Sequence, residues 1–125
     1  MSRRATVRLT ENFQRNLEDV RRFLEEGAAS SAFHDLLDVL FDEVIPNLER
    51  FPEIGFDFLA RVPHSRQALG RVDALRRRLG PGLSLREYIA GDYLLLYALS
   101  GERIHILAIK HHRQASFDLR ILLRR

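Results

Sequence analysis

The sequence predicts an α+β fold in which an N-terminal α-helical hairpin packs on a small antiparallel β-sheet. Two runs with apolar residues at i, i+3, i+4 and i+7 fill the first half, and three strand-like runs separated by turn signals fill the second. At 125 residues the chain suits one domain over 1–125, and with no cysteine it must hold its core without disulfides.

Residues 5–9 alternate as a short strand does, and Thr10 with Glu11 supplies an N-cap and a first-turn carboxylate. Phe13, Leu17, Val20 and Leu24 then recur at helical spacing until Gly27, with Arg15, Glu18, Asp19, Arg22 and Glu26 on the opposite side. Ser30 or Ser31 starts a second helix with an inward stripe of Phe33, Leu36, Leu37, Leu40, Phe41, Val44, Ile45 and Leu48. Pro46 lacks an N–H and crowds the carbonyl of Asp42, so a kink or break is expected there. The short link between the helices implies an antiparallel pair, and both stripes need a sheet to cover them.

Phe51-Pro52-Glu53-Ile54-Gly55 reads as a turn, and residues 65–79 as a basic helix with Ala68, Leu69, Val72, Leu75 and Leu79 inward. Gly80-Pro81-Gly82 would stop that helix. The strand runs are Leu83–Ala90, Tyr93–Leu99 and Arg103–Lys110, joined by Gly91-Asp92 and Ser100-Gly101-Glu102. Such short loops force an antiparallel meander. Its central run is apolar on both faces, as a strand covered on both sides would be. Residues 116–125 read as a short helix or a strand.

Charge is divided along the chain. Residues 1–60 carry 7 Arg against 12 acidic residues, whereas residues 61–125 carry 12 Arg and Lys110 against 5. The second half therefore suits an anionic partner. Nineteen of the twenty basic residues are Arg, which favours phosphate or carboxylate recognition, although a G+C-rich coding sequence gives the same bias. The longest apolar run, Tyr93–Leu99, is too short to span a bilayer, and the N-terminus lacks the apolar stretch of a secretory signal. The reading is a cytoplasmic protein with no membrane partner.

Three groups are candidates for chemistry or binding. Lys110-His111-His112-Arg113 ends the last strand and offers cations for phosphate and imidazoles for proton transfer; the plain alternative is a polar strand end. Arg86 lies inside a strand, shares a face with Tyr88, and either reaches residues near His111 or Arg113 or pairs with Glu87 or a hairpin acid. Arg76, Arg77 and Arg78 fan around a helix, forming a solvated face or a surface for an acidic partner. His34, His64 and His105 have no ligand spacing, adjacent His111 and His112 point to opposite faces, and no phosphate loop or nucleophile elbow occurs. No metal and no cofactor are expected.

The ordered set resembles the RelE/ParE superfamily, toxins of bacterial type II toxin–antitoxin systems of the plasmid stabilisation type. The likeness rests on Leu48 to Gly55 after the second helix, on Leu85-Arg86, on Gly91-Asp92-Tyr93 with Tyr97, and on Ile104 to Arg113 closing in His and Arg. It implies a cognate antitoxin that wraps and neutralises the toxin, within a homodimer or a toxin–antitoxin hetero-oligomer. It also implies one of two targets. RelE-like members cleave mRNA on the ribosome with Arg, Lys and a Tyr, His or Glu, which would make Arg86, His111, His112 and Arg113 the catalytic set. ParE-like members inhibit DNA gyrase and are not known for nuclease chemistry; Lys110, Arg113 and Arg76 to Arg78 would then be docking residues. The tyrosine expected shortly after the final Arg is absent, and Phe117 has no proton to move. The long hairpin and this departure favour the gyrase-directed reading over the nuclease. A non-toxic binding domain that keeps the fold is a third reading.

Overall fold

The computed structural model of the protein describes residues 4–26, 30–58, 66–80 and 82–111. Strand β1 (Thr6–Leu9) leads into helix α1 (Glu11–Glu26), and the returning rod comprises α2 (Ser30–Val39), a π-helical turn (Leu40–Val44) and α3 (Ile45–Arg50). A short strand β2 (Phe56–Asp57) precedes helix α4 (Arg66–Leu79), followed by β3 (Ser84–Ala90), β4 (Tyr93–Ser100) and β5 (Arg103–His111).

The chemistry of Pro46 explains the π turn. Its missing N–H and its ring would leave the carbonyl four residues back unpaired and crowded. The rod widens just before it, so that the Ile45 N–H donates to the Leu40 carbonyl and Pro46 enters the first turn of α3. In place of the expected break the rod continues through a widened, underwound turn. Phe41, assigned to the inward stripe, is rotated outward and is 53% exposed, while Leu40, Val44 and Leu48 stay buried at four-residue spacing.

The sheet order is β1-β5-β4-β3-β2. The meander β3-β4-β5 forms as expected, with Gly91 and Gly101 taking positive φ at the start of its two tight turns. The sheet is nevertheless mixed: β1 pairs parallel to β5, and β2 adds antiparallel to β3. No hairpin links β1 to β5, so the intervening helices act as the crossover that parallel pairing requires.

Each face has its own core. Phe13, Val20, Leu36, Leu40, Val44 and Leu48 of the hairpin meet Tyr97, Ile104, Ile106 and Ile109 on one face. On the other, Leu75 of α4 and Phe58 meet Leu83, Leu85, Leu96, Ala98, Leu107 and Ala108, with Leu79 beside them. Central strand β4 is buried on both faces, which is why its sequence shows no polar alternation. The inward roles of Ala68, Leu69 and Val72, and the ending over residues 116–125, lie outside the described side chains.

A β-bulge joins the two halves. The β4–β5 register shifts between Leu96 and Tyr97, leaving Leu107 as the extra residue of β5. Helix α1 satisfies the disturbed backbone. Thr10 Oγ1 caps the helix by accepting from the Phe13 N–H (3.2 Å) and donates to the Ile106 carbonyl (2.8 Å). Buried Asn12 donates to the Leu107 carbonyl (2.8 Å), and Asn16 accepts from the Ile109 N–H (3.1 Å).

Candidate functional site

The turn after α3 is held from below by two strand side chains. Tyr97 is fully buried; its hydroxyl donates to the Pro52 carbonyl (2.8 Å) and accepts from the Gly55 N–H (2.9 Å). Arg86, its cross-strand neighbour, donates through Nη1 to the carbonyls of Glu53 (3.1 Å) and Gly55 (2.9 Å). Gly55 fits because it has no side chain: a Cβ there would lie 2.6 Å from the Glu87 carbonyl oxygen and 2.8 Å from the Tyr97 ring. Asn47 donates to the Tyr88 hydroxyl (3.1 Å), tying α3 to the same strand.

Burial pushes the Tyr97 hydroxyl above its ordinary pKa, partly opposed by the Gly55 hydrogen bond and the Arg86 charge. Such a hydroxyl is suited to fixing the turn and poorly suited to giving up a proton. The fixed turn presents apolar groups outward: Phe51 and Phe56 are each 58% exposed and Ile54 48%. Arg50, Phe51, Glu53, Ile54 and Leu99 line a groove of about 600 Å³ beside it. Large apolar side chains exposed on and just after a hydrogen-bonded turn have the character of docking anchors.

The end of β5 is a separate place. His111 lies opposite Tyr93, with ring centroids 5.5 Å apart and planes at 84°. Burial, and secondarily the Asp92 charge, raises the Tyr93 pKa. Lys110 pairs with Leu94 and projects from the opposite face of the sheet. The Ala90–Tyr93–His111 row crosses the sheet four residues along β3 from Arg86. That is about 13 Å along the strand, so Arg86 shares a face with Tyr88 but is not brought to His111. His112 and Arg113 lie outside the described residues.

Comparison with protein families matches residues 7–116 to the family described as the ParE toxin of type II toxin-antitoxin system, parDE. The chain belongs to this ParE toxin family. Comparison with curated proteins yields no match. As a ParE toxin it is the toxin half of a type II toxin–antitoxin pair, and the match runs from β1 past the end of β5. The residues that suggested the ParE likeness turn out to be mutual contacts: Leu48 in the core, Pro52 and Gly55 in the turn, and Arg86 and Tyr97 beneath it. In this ParE toxin Arg76, Arg77 and Arg78 occupy the last turn of α4, exposed, with Arg76 paired to Asp73 (3.1 Å). Among the described residues, no helix of the ParE toxin is long and apolar enough to cross a membrane.

Spacing alone missed the role of the turn. The strand interior position of Arg86 and the close Pro52/Gly55 pair were visible signals, but which carbonyls an arginine reaches depends on the register of β2, β3 and β4.

Proposed function

We propose that this toxin arrests growth by docking on DNA gyrase, without nuclease chemistry, and that a cognate antitoxin neutralises it. The observation that carries the reading is the occupation of Arg86. Phosphate-steadying in RNA cleavage needs a guanidinium aimed at the scissile phosphate beside an acid and a base. Arg86 instead spends its Nη1 on two backbone carbonyls of the 51–55 turn, about 13 Å along the sheet from the His111 row. Membership in the ParE family and the replacement of the expected tyrosine by Phe117 support the same direction. Docking would use the exposed Phe51, Ile54 and Phe56, with Lys110, Arg113 and Arg76 to Arg78 as candidate polar contacts.

The test is induced expression without antitoxin, with primer extension on cellular mRNA and a gyrase supercoiling assay on purified protein. Blocked supercoiling with intact mRNA is the expected result. Codon-spaced cuts in mRNA with normal supercoiling would overturn it and make Arg86, His111, His112 and Arg113 a catalytic set.

A further inference from the structure

A second basic group lies on the sheet face covered by α4, at the β1–β5 edge. Parallel pairing sets Arg8 beside His105 and Thr6 beside Arg103. Their neighbours in sequence, Val7, Leu9, Ile104 and Ile106, pack into the hairpin core, so these four side chains point the other way. Ser100 and Ala98 continue the rows on β4, and Gly80 at the end of α4 lies against the Ser100 side chain. Helix α4 thus reaches this end of the face but leaves Arg8 and Arg103 exposed.

Among the described residues the charges here are uncompensated. On the helices Arg15, Arg21, Arg22 and Arg76 all pair with carboxylates three or four residues away. Arg8 and Arg103 are in no ion pair among the described residues, and His105 Nδ1 is buried with no hydrogen-bond partner there. Adjacent cations without an acid repel one another, an arrangement that an incoming anion would relieve.

The adjoining edge selects the kind of anion. Thr6 and Thr10 direct their N–H groups to Glu102 and Ile106 of β5 (2.8 and 3.2 Å). By strand alternation the N–H and C=O of Val7 and Leu9 face outward from β1, past the point where the Ala5 N–H is taken by the Glu49 carbonyl (2.9 Å). An extended polypeptide can use those groups, at a strand spacing of about 4.8 Å, and place every second side chain beside Arg8. A nucleic acid cannot, and no aromatic side chain stands among these rows for bases to stack on.

We infer that the β1 edge receives an extended acidic polypeptide strand, whose carboxylates bind Arg8, Arg103 and His105 while its alternate apolar residues extend the core beside Val7 and Leu9. The inference rests on the antitoxin reading only for the identity of the natural partner.

The probe is a synthetic peptide of about ten residues alternating Val and Glu, titrated into the full-length protein by fluorescence anisotropy. Saturable binding is expected, weakened about tenfold or more by Arg8→Ser with Arg103→Ser, which lie on the exposed surface. Proline at the centre of the peptide should abolish it, because the ladder loses a donor. Arg8→Glu with Arg103→Glu should transfer preference to a Val/Lys peptide, with circular dichroism confirming the fold. No binding of the Val/Glu peptide, equal binding of Val/Lys by the unaltered protein, or tighter binding of an oligothymidylate lost in the same variants would overturn the proposal. Because none of these readouts involves gyrase or mRNA, they fail separately from the growth and supercoiling tests.

Discussion

Arg86 and Arg8 are both strand arginines, one on inner strand β3 and the other on edge strand β1, in opposite circumstances. Arg86 is half-buried, lies under a turn, and donates to the carbonyls of Glu53 and Gly55. Arg8 is exposed, faces a histidine across a parallel pair, and has no ion pair among the described residues. The difference teaches that an arginine's role here follows from what the neighbouring backbone leaves unpaired. Under the 51–55 turn, the exposed Glu53 carbonyl and the part-buried Gly55 carbonyl both accept from the one Nη1 of Arg86. At the β1–β5 edge the backbone of β5 is already paired, so the cation remains available to a partner.

The sharpest way to break this contrast is through the turn itself. Gly55→Ala should destabilise the protein by about 3 kcal/mol, since the added Cβ meets a backbone oxygen and a fully buried ring, neither of which can yield easily. Urea unfolding measures it; a near-neutral effect would mean that the turn is not tightly seated. Tyr97→Phe should follow at about 2 kcal/mol, because the Pro52 carbonyl and Gly55 N–H both lose their buried partner while the ring volume is kept.

A smaller effect sharpens the open side. Burial first, then the charges of Arg8 and Arg103, lower the pKa of His105 below its ordinary 6.5. Below about pH 6.5 the unfolded chain therefore takes up this proton more readily than the folded chain does. Stability contributed by neutral His105 is complete above that range and is lost as pH falls through it. Unfolding free energy should decline as pH falls below about 7, and His105→Gln should flatten part of that decline. An identical profile in the variant would show that His105 is not held neutral.

Much of the architecture was legible because it depends on local periodicity. The stripe Phe13, Leu17, Val20, Leu24 and the two-sided apolar run of β4 each announce their surroundings. What escaped depends on long-range register. The parallel seat of β1 beside β5 has no turn signal, and the two-residue β2 is too short for any pattern. The π turn was half visible: Pro46 signalled a disturbance, but the direction of its relief, and so the outward rotation of Phe41, depends on hydrogen bonding five residues back. Asn12, unassigned from the sequence, is buried because the bulge at Leu107 leaves a carbonyl beneath it. The candidate residues at 110 and 111 were correctly placed at a strand end by sequence, whereas their distance from Arg86 could be known only from the sheet order.

The most direct test of the contrast is equilibrium urea unfolding of Arg86→Leu and Arg8→Leu side by side, with growth arrest followed for each. Arg86→Leu is expected to lose about 1 kcal/mol, chiefly through the part-buried Gly55 carbonyl, with growth arrest weakened in step. Arg8→Leu is expected to change stability by no more than about 0.5 kcal/mol. Unchanged stability in Arg86→Leu together with complete loss of growth arrest would contradict the account and give Arg86 a direct part in the toxin's action.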